Sequence, residues 1–123
     1  MDKERRVVAI LTKKIELICE SAYEKKAEAI VIMDMNQKAT FCDFFIVMSA
    51  SSSVRVKAIV DHVDEMMKKE HGSRAKHKEG YAEAMWVLLD YGDVVVHVFY
   101  DEKRKFYDLE NLWGDAPKRH FLK

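Results

Sequence analysis

The chain has 123 residues, of which 49% are hydrophobic and 34% charged. This composition is typical of a folded domain with one core, and the length leaves no room for a separate cofactor-binding domain. The 21 Lys and Arg balance the 21 Asp and Glu, so the formal net charge is zero. Proteins whose affinity depends on many nucleic-acid phosphates carry a basic surplus, and the balance argues against that class.

The first third of the chain predicts one helix and two strands. Apolar residues recur at steps of three and four from Val7 to Ala22, which indicates an amphipathic helix ending near residues 23–26. Residues 29–33 and 44–48 are apolar at every position, as in strands that are covered on both faces. Helices are therefore expected above this part of the sheet.

The middle of the chain predicts a second helix and a hairpin. The serine-rich residues 49–53 are typical of an N-cap, and Gly72 ends the amphipathic helix that follows. The polar residues 74–79 predict a short edge strand. The apolar runs 85–91 and 94–100 are separated only by Gly-Asp, which predicts a tight β-hairpin.

The last segment, residues 102–113, predicts one or two short helical turns, and the basic tail 118–123 is expected to fray. The whole order is α-β-β-α-β-β-β-α, which predicts a mixed sheet packed with helices, an α/β fold with a βαβ crossover after the second strand. We expect a single domain over residues 1–123, with its core at about 7–117.

The motifs that are absent from the sequence limit the cellular compartment and the kinds of catalysis that we expect for this protein. Cys19 and Cys42 are far apart and follow no secretory leader, and no apolar run is long enough to span a membrane, so we expect a cytoplasmic protein with free thiols. There is no nucleophile elbow or phosphate loop, and the five histidines have no metal-ligand spacing. We predict no catalytic residues, no metal and no cofactor.

A small-ligand alternative concerns the start of the second helix. Ser52 and Ser53 precede Arg55 there, and exposed N–H groups beside a cation can hold a phosphate. Serines in this position are more often simple helix caps. Capping is the favoured interpretation, and anion binding is the weaker one.

The hairpin is the more unusual feature. By strand alternation Trp86, Leu88 and Asp90 share one face, whereas Val87, Leu89 and Tyr91 share the other. An open face carrying Trp86, Leu88, His97 and Phe99 would be typical of a protein interface. The terminal helix could instead cover this face, and periodicity does not decide between the two arrangements.

Six motifs of the sequence are informative together: CDFFIV at 42–47, SSSVR at 51–55, AIVD at 58–61, EG at 79–80, WVLLDYGDVVVHVF at 86–99 and RKFYDLENLW at 104–113. They resemble the ribosomal silencing factor family, also called Iojap-like. The resemblance extends from about residue 7 to residue 117.

The resemblance implies a fold similar to nucleotidyltransferases and a function without catalysis. Such factors dock on the large ribosomal subunit through its fourteenth protein, block its joining to the small subunit, and so repress translation under nutrient limitation. Organelle relatives take part in large-subunit assembly. The turn at 49–53 lacks the glycine of the nucleotidyltransferase motif and no Asp-x-Asp follows, so the catalytic inheritance is expected to be lost.

From the resemblance we predict a partner-binding set on the hairpin, with Glu79 at its rim. The set consists of Trp86, Leu88, Asp90, Tyr91, Asp93, His97 and Phe99. A homodimer through the same face, peripheral rRNA contact by the basic tail, and a residual nucleotide-binding enzyme are the alternatives that stay open.

Overall fold

The computed structural model describes residues 3–36, 38–39 and 41–122, with side chains described from residue 11 onward. These residues form a six-stranded sheet with two long helices on one face and two short helices on the other. In chain order the elements are α1 (Lys3–Glu24), β1 (Glu28–Asp34), β2 (Phe44–Ala50), α2 (Ser53–His71), β3 (His77–Glu79), β4 (Trp86–Asp90), β5 (Val94–Tyr100), α3 (Asp101–Tyr107), α4 (Leu109–Leu112) and β6 (Lys118–His120).

The sheet has the strand order β3-β4-β5-β2-β1-β6. β2 and β5 run parallel at its centre, with Val47 opposite His97, and the other neighbouring pairs are antiparallel. Both central strands are almost entirely buried, as their unbroken apolar sequences predicted. The connection from β2 to β5 passes through α2 and then through β3 and β4, so the crossover includes a detour to the far edge of the sheet.

The helices α1 and α2 cover one face of the sheet. Ile18 and Ile59 are fully buried there against Ile46 and Val96 of the central strands. α2 begins where the Ser52 hydroxyl accepts a hydrogen bond from the Arg55 backbone N–H at 3.1 Å, which confirms the predicted cap.

The opposite face has a second, smaller core. Val31, Met33, Phe45 and Val47 are buried on it, and Leu109 of α4 is buried with them. A seven-residue helix and a four-residue helix cannot cover six strands, so this face is only partly closed.

The expectation that the tail frays is wrong. β6 pairs with β1, with Val31 opposite His120 and Met33 opposite Lys118, so it extends the sheet by one strand. Its three residues are exposed and polar, and the pairing uses backbone hydrogen bonds that no side-chain pattern indicates. Among the described residues, no helix combines the length and hydropathy needed to cross a bilayer.

Candidate interaction surface

β4 places its odd and even residues on opposite faces, as alternation predicted. Val87 and Leu89 are fully buried beneath the helices α1 and α2, whereas Trp86, Leu88 and Asp90 are half-buried on the other face. The two residues opposite in register to Trp86 and Leu88 are Phe99 and His97 of β5. These four side chains therefore share one patch of the sheet.

Trp86 is held by neighbours on three sides. Its ring stacks on Phe99, with centroids 5.0 Å apart and planes at 24°, and lies 4.7 Å from the ring of Tyr107 in α3. Its indole Nε1–H donates a hydrogen bond to His97 Nδ1 at 3.1 Å. The remaining part of the indole is accessible, so a partner would meet a side chain whose orientation is already restricted.

Further exposed rings extend this patch. Tyr107 is 45% exposed and Phe106 is 77% exposed, and their rings are in contact at 5.2 Å. On the other side, exposed Phe41 and half-buried Trp113 both contact the ring of Phe45, at 6.1 and 6.4 Å. We call the accessible members the aromatic surface, defined as Phe41, Trp86, Leu88, Phe106, Tyr107 and Trp113.

Sequence reasoning missed Phe41, Phe106, Tyr107 and Trp113 as accessible members of this surface. The signal was present in residues 104–113, where a short helix carries more large apolar side chains than one face can bury. Leu109 takes the inward position, and Tyr107 and Leu112 are left exposed.

α3 has no buried residue, and Arg104 ties it to the rest of the molecule. Its Nε donates to Glu110 Oε1 at 3.0 Å, and its Nη1 donates to the Ser49 hydroxyl at 3.1 Å. Because the Arg104 side chain is 12% exposed, these charge-assisted bonds are largely shielded from water. They fix α3, and with it Tyr107, above Trp86.

The structure resolves the question of the open face in part. His97 and Phe99 are only 3% and 1% exposed, so they form the floor of the aromatic surface. Rings from β2 and α3 cover these two residues in the free protein, and their direct contact with a partner stays a prediction. Trp86 and Leu88 stay accessible at the β4 side.

Tyr91 lies on the face of the sheet opposite to Trp86 and Leu88, as alternation predicted, and its assignment to the binding set stays a prediction. Its ring is buried in the helix-side core, and its hydroxyl donates to Asp64 Oδ1 at 2.8 Å. Burial, together with this hydrogen bond, raises the pKa of Tyr91 far above its ordinary value. Its contacts in this structure are those of a core residue.

The predicted carboxylates surround the hairpin. Asp90 Oδ1 accepts a hydrogen bond from the Gly92 N–H at 2.7 Å, so it caps the turn, and Asp93 forms an ion pair with Lys14 at 3.2 Å. Glu79 is exposed on β3, opposite Leu88 in register. Between residues 79 and 102 the sequence holds six acidic residues and no Lys or Arg, so the rim of the aromatic surface is acidic on the hairpin side, whereas Lys103 lies 5.7 Å from the centre of the Phe106 ring on the α3 side.

At the start of α2 the Ser52 hydroxyl is occupied by capping, and Ser53 and Arg55 are half-buried. A shallow cavity of about 330 Å³ there is lined by Glu24, Lys25, Lys26, Ser52 and Arg55, and Ser53 is not part of its lining. The structure thus supports the capping interpretation, and anion binding there stays a prediction. Among the described residues, no group of three His, Cys, Asp or Glu is arranged to hold a metal ion.

The two thiols lie inside the protein. Desolvation by burial raises the pKa of Cys19 to about 12 and that of Cys42 to about 11. A thiol with so high a pKa is a poor nucleophile, since the thiolate is the reactive form.

Comparison with known proteins gives one family. Residues 9–122 match the family model described as ribosomal silencing factor during starvation. A ribosomal silencing factor RsfS from Halalkalibacterium halodurans is 43% identical over 84% of this chain and 87% of its own length, and that of Bacillus subtilis is 40% identical over 84% and 86%. The chloroplastic protein Iojap of Zea mays is 32% identical over 80% of this chain and 42% of its own length.

Two solved structures have the same fold. A crystal structure from Bacillus halodurans superposes with a TM-score of 0.78 at 36% identity, covering 89% of this chain and 99% of that one. One from Chromobacterium violaceum gives 0.80 at 31% identity, covering 91% and 92%. By its sequence and by its fold, the chain belongs to the ribosomal silencing factor family.

Proposed function

We propose that this protein binds the large ribosomal subunit through the fourteenth protein of that subunit and prevents the small subunit from joining. Family membership supports the ribosome as the target. The observation that carries the choice of surface is the position of Trp86, whose indole is fixed by its neighbours and accessible on the face that α1 and α2 leave free.

The aromatic surface has the composition of an interface core. Tryptophan and tyrosine are enriched among the residues that supply most of the binding free energy, and truncation of such a residue typically costs about 2 kcal/mol or more. Trp86 and Tyr107 are in mutual contact at the centre of the aromatic surface. Little conformational entropy is left for them to lose on binding, because the fold already restricts their rings.

The acidic rim gives the surface an electrostatic preference. Glu79 on β3 is opposite Leu88 in register, Asp90 follows Leu88 on β4, and no Lys or Arg occurs in the sequence between residues 79 and 102. Ribosomal proteins are mostly basic because they neutralise rRNA, so such a partner is attracted and oriented by this rim. A protein contact of this kind also suits a chain whose formal net charge is zero.

The mechanism requires occupancy and no bond-making. A domain of this size bound beside the intersubunit face would exclude the small subunit sterically. The chain then acts in proportion to the fraction of large subunits that it occupies.

The test is co-sedimentation with purified large subunits, together with a subunit-joining assay, in the absence of nucleotide. The wild-type protein is expected to sediment with large subunits and to reduce joining, and Trp86→Ala is expected to do neither while keeping the wild-type circular dichroism spectrum. Unaltered affinity of Trp86→Ala would refute the proposed surface. Failure of the wild-type protein to bind would refute the function.

The same preparation distinguishes the other functions. A nucleotide-binding enzyme predicts that nucleotide with Mg²⁺ raises the melting temperature, by an amount equivalent to about 2.7 kcal/mol at a hundredfold excess over the dissociation constant. A homodimer through the aromatic surface predicts a concentration-dependent mass that Trp86→Ala abolishes. An assembly factor predicts binding to immature particles in preference to mature subunits.

A further inference from the structure

His97 is a buried polar residue in an apolar setting. It lies in the middle of β5, 3% exposed, and its imidazole centroid is 4.5 Å from the ring of Phe45, 5.9 Å from that of Trp86 and 6.5 Å from that of Phe99. Val95 and Val47, apolar residues of the central strands, are buried in the same cluster. A side chain with two polar nitrogens is therefore buried at a position where an apolar side chain would need no hydrogen-bond partners.

One of these nitrogens has a partner on the aromatic surface. His97 Nδ1 accepts the hydrogen bond from Trp86 Nε1, and an accepting Nδ1 requires the proton of the neutral ring to be on Nε2. Burial lowers the pKa of His97 to about 4, so the ring is neutral and Nδ1 remains an acceptor at physiological pH. An indole N–H can only donate, and this acceptor fixes the direction in which it points.

The other nitrogen finds no hydrogen-bond partner among the described residues. His97 Nε2 is buried and makes no hydrogen bond within the part of the chain that the structure describes. A buried donor without an acceptor costs folding free energy, and an apolar residue of similar size would avoid that cost. Stability alone does not explain a histidine at this position, whereas its contact with Trp86 does.

We propose that His97 is a positioning residue for partner binding: its Nδ1 holds the Trp86 indole in the single orientation that the partner recognises. The inference rests on the proposed function, since it concerns the same surface. Tryptophan on a sheet surface has several accessible rotamers, and a bond to the floor selects one of them before binding. The partner then does not have to order the ring itself.

Two substitutions of nearly equal size separate positioning from packing. His97→Leu removes both nitrogens, and His97→Asn keeps a polar acceptor close to the position of Nδ1. We expect His97→Leu to fold with wild-type or higher stability and to bind large subunits about tenfold more weakly, equivalent to about 1.4 kcal/mol. We expect His97→Asn to be less stable than the wild-type protein and to bind within about threefold of it.

The decisive result is that His97→Leu, the more stable variant, binds large subunits more weakly than His97→Asn, the less stable one. If His97 served packing alone, affinity would follow stability, and His97→Leu would be the better binder of the two. Binding measured by co-sedimentation and stability measured by urea unfolding, on the same preparations, test this directly. Wild-type affinity in His97→Leu, or equal losses in both variants, would overturn the inference.

A spectroscopic readout tests the hydrogen bond without ribosomes. The chain has two tryptophans, so its NMR spectrum contains two indole N–H signals, which Trp113→Phe assigns. The Trp86 signal is expected to be protected from solvent exchange in the wild-type protein and in His97→Asn, and to lose that protection in His97→Leu. An unchanged signal in His97→Leu would overturn the inference even if the wild-type protein binds large subunits. Failure of the wild-type protein to bind large subunits would instead overturn the proposed function, and this result is obtained before any variant is made.

Discussion

The rings of Trp86 and Tyr107 lie 4.7 Å apart at 46° to each other, and this contact joins the edge of the hairpin to α3. The two residues are far apart in the sequence. The contact turns an isolated tryptophan on a strand into the centre of a larger surface, and it makes the position of α3 part of the proposed binding geometry.

Tyr107→Ala should weaken binding to large subunits by about 30-fold, the equivalent of about 2 kcal/mol, because it removes half of this pair. Tyr107 is 45% exposed but its ring also covers Phe99, so the free energy of unfolding should fall by about 1 kcal/mol. The matched control is Tyr23→Ala. Tyr23 is 48% exposed on α1, at the opposite face of the sheet, and its loss should leave subunit binding unchanged. Equal effects of the two substitutions would contradict the assignment of the aromatic surface.

Gly80 precedes β4 and determines how closely the chain approaches Trp86. Its φ is +81°, and a Cβ at this position would be 2.1 Å from the Trp86 carbonyl oxygen. Gly80→Ala should therefore lower the free energy of unfolding by more than about 2 kcal/mol and weaken subunit binding through displacement of Trp86. Urea unfolding and co-sedimentation measure the two effects.

The control for Gly80 is Gly72, the C-cap of α2. Its φ is +62°, and a Cβ there would have no atom within 4 Å. Gly72→Ala has only the backbone strain, so a loss of about 1 kcal/mol with normal binding is expected. A Gly80→Ala protein as stable as Gly72→Ala would show that the close approach is unimportant.

Tyr91→Phe tests the division of the hairpin into a structural and a binding face. The substitution removes the hydroxyl that donates to the buried Asp64 carboxylate, so the free energy of unfolding should fall by about 2 kcal/mol. Tyr81→Phe removes a similar bond to Asp61 that is exposed to water, and its effect should be below about 0.5 kcal/mol. Subunit binding should be unchanged in both proteins. A loss of binding in Tyr91→Phe alone would show that Tyr91 belongs to the interface.

Burial of neutral His97 predicts a pH dependence of stability. The pKa is about 4 in the folded protein against an ordinary 6.5, a difference that corresponds to about 3 kcal/mol. Above pH 6.5 His97 is neutral in both states and contributes no pH dependence. As the pH falls from 6.5 towards 4, the unfolded chain takes up a proton that the native protein does not, and stability falls.

We expect this histidine to account for a loss of about 2 kcal/mol between pH 7 and pH 5. Urea unfolding of the wild-type protein and of His97→Leu at both pH values isolates its contribution, because the remaining titrating groups are common to the two proteins. The same slope in both proteins would mean that His97 is not buried in its neutral form.

Much of the fold was predictable from local patterns. The periodicity of α2, its serine cap and Gly72 lie within one stretch of chain, and the hairpin is marked by two apolar runs around Gly-Asp. Such features depend on interactions between near neighbours in sequence, and the family motifs lie on the same elements. Alternation along residues 86–91 also predicted that Trp86 and Tyr91 lie on opposite faces of the sheet.

The tertiary structure alone decided which parts of the sheet face are closed. The three polar residues 118–120 form an edge strand because their backbone groups pair with those of β1. The helix α3 packs against Trp86 because Arg104 donates hydrogen bonds to Ser49 and Glu110. These pairings join distant parts of the chain, and their free energy comes from backbone and guanidinium hydrogen bonds whose partners no periodicity reveals. The sequence by itself therefore determined most of the elements and the family, and it predicted the face on which Trp86 lies. Whether the His97 side chain is accessible or buried depends on the rings of Phe45 and Trp86 that pack against it, and only the folded chain brings these rings together.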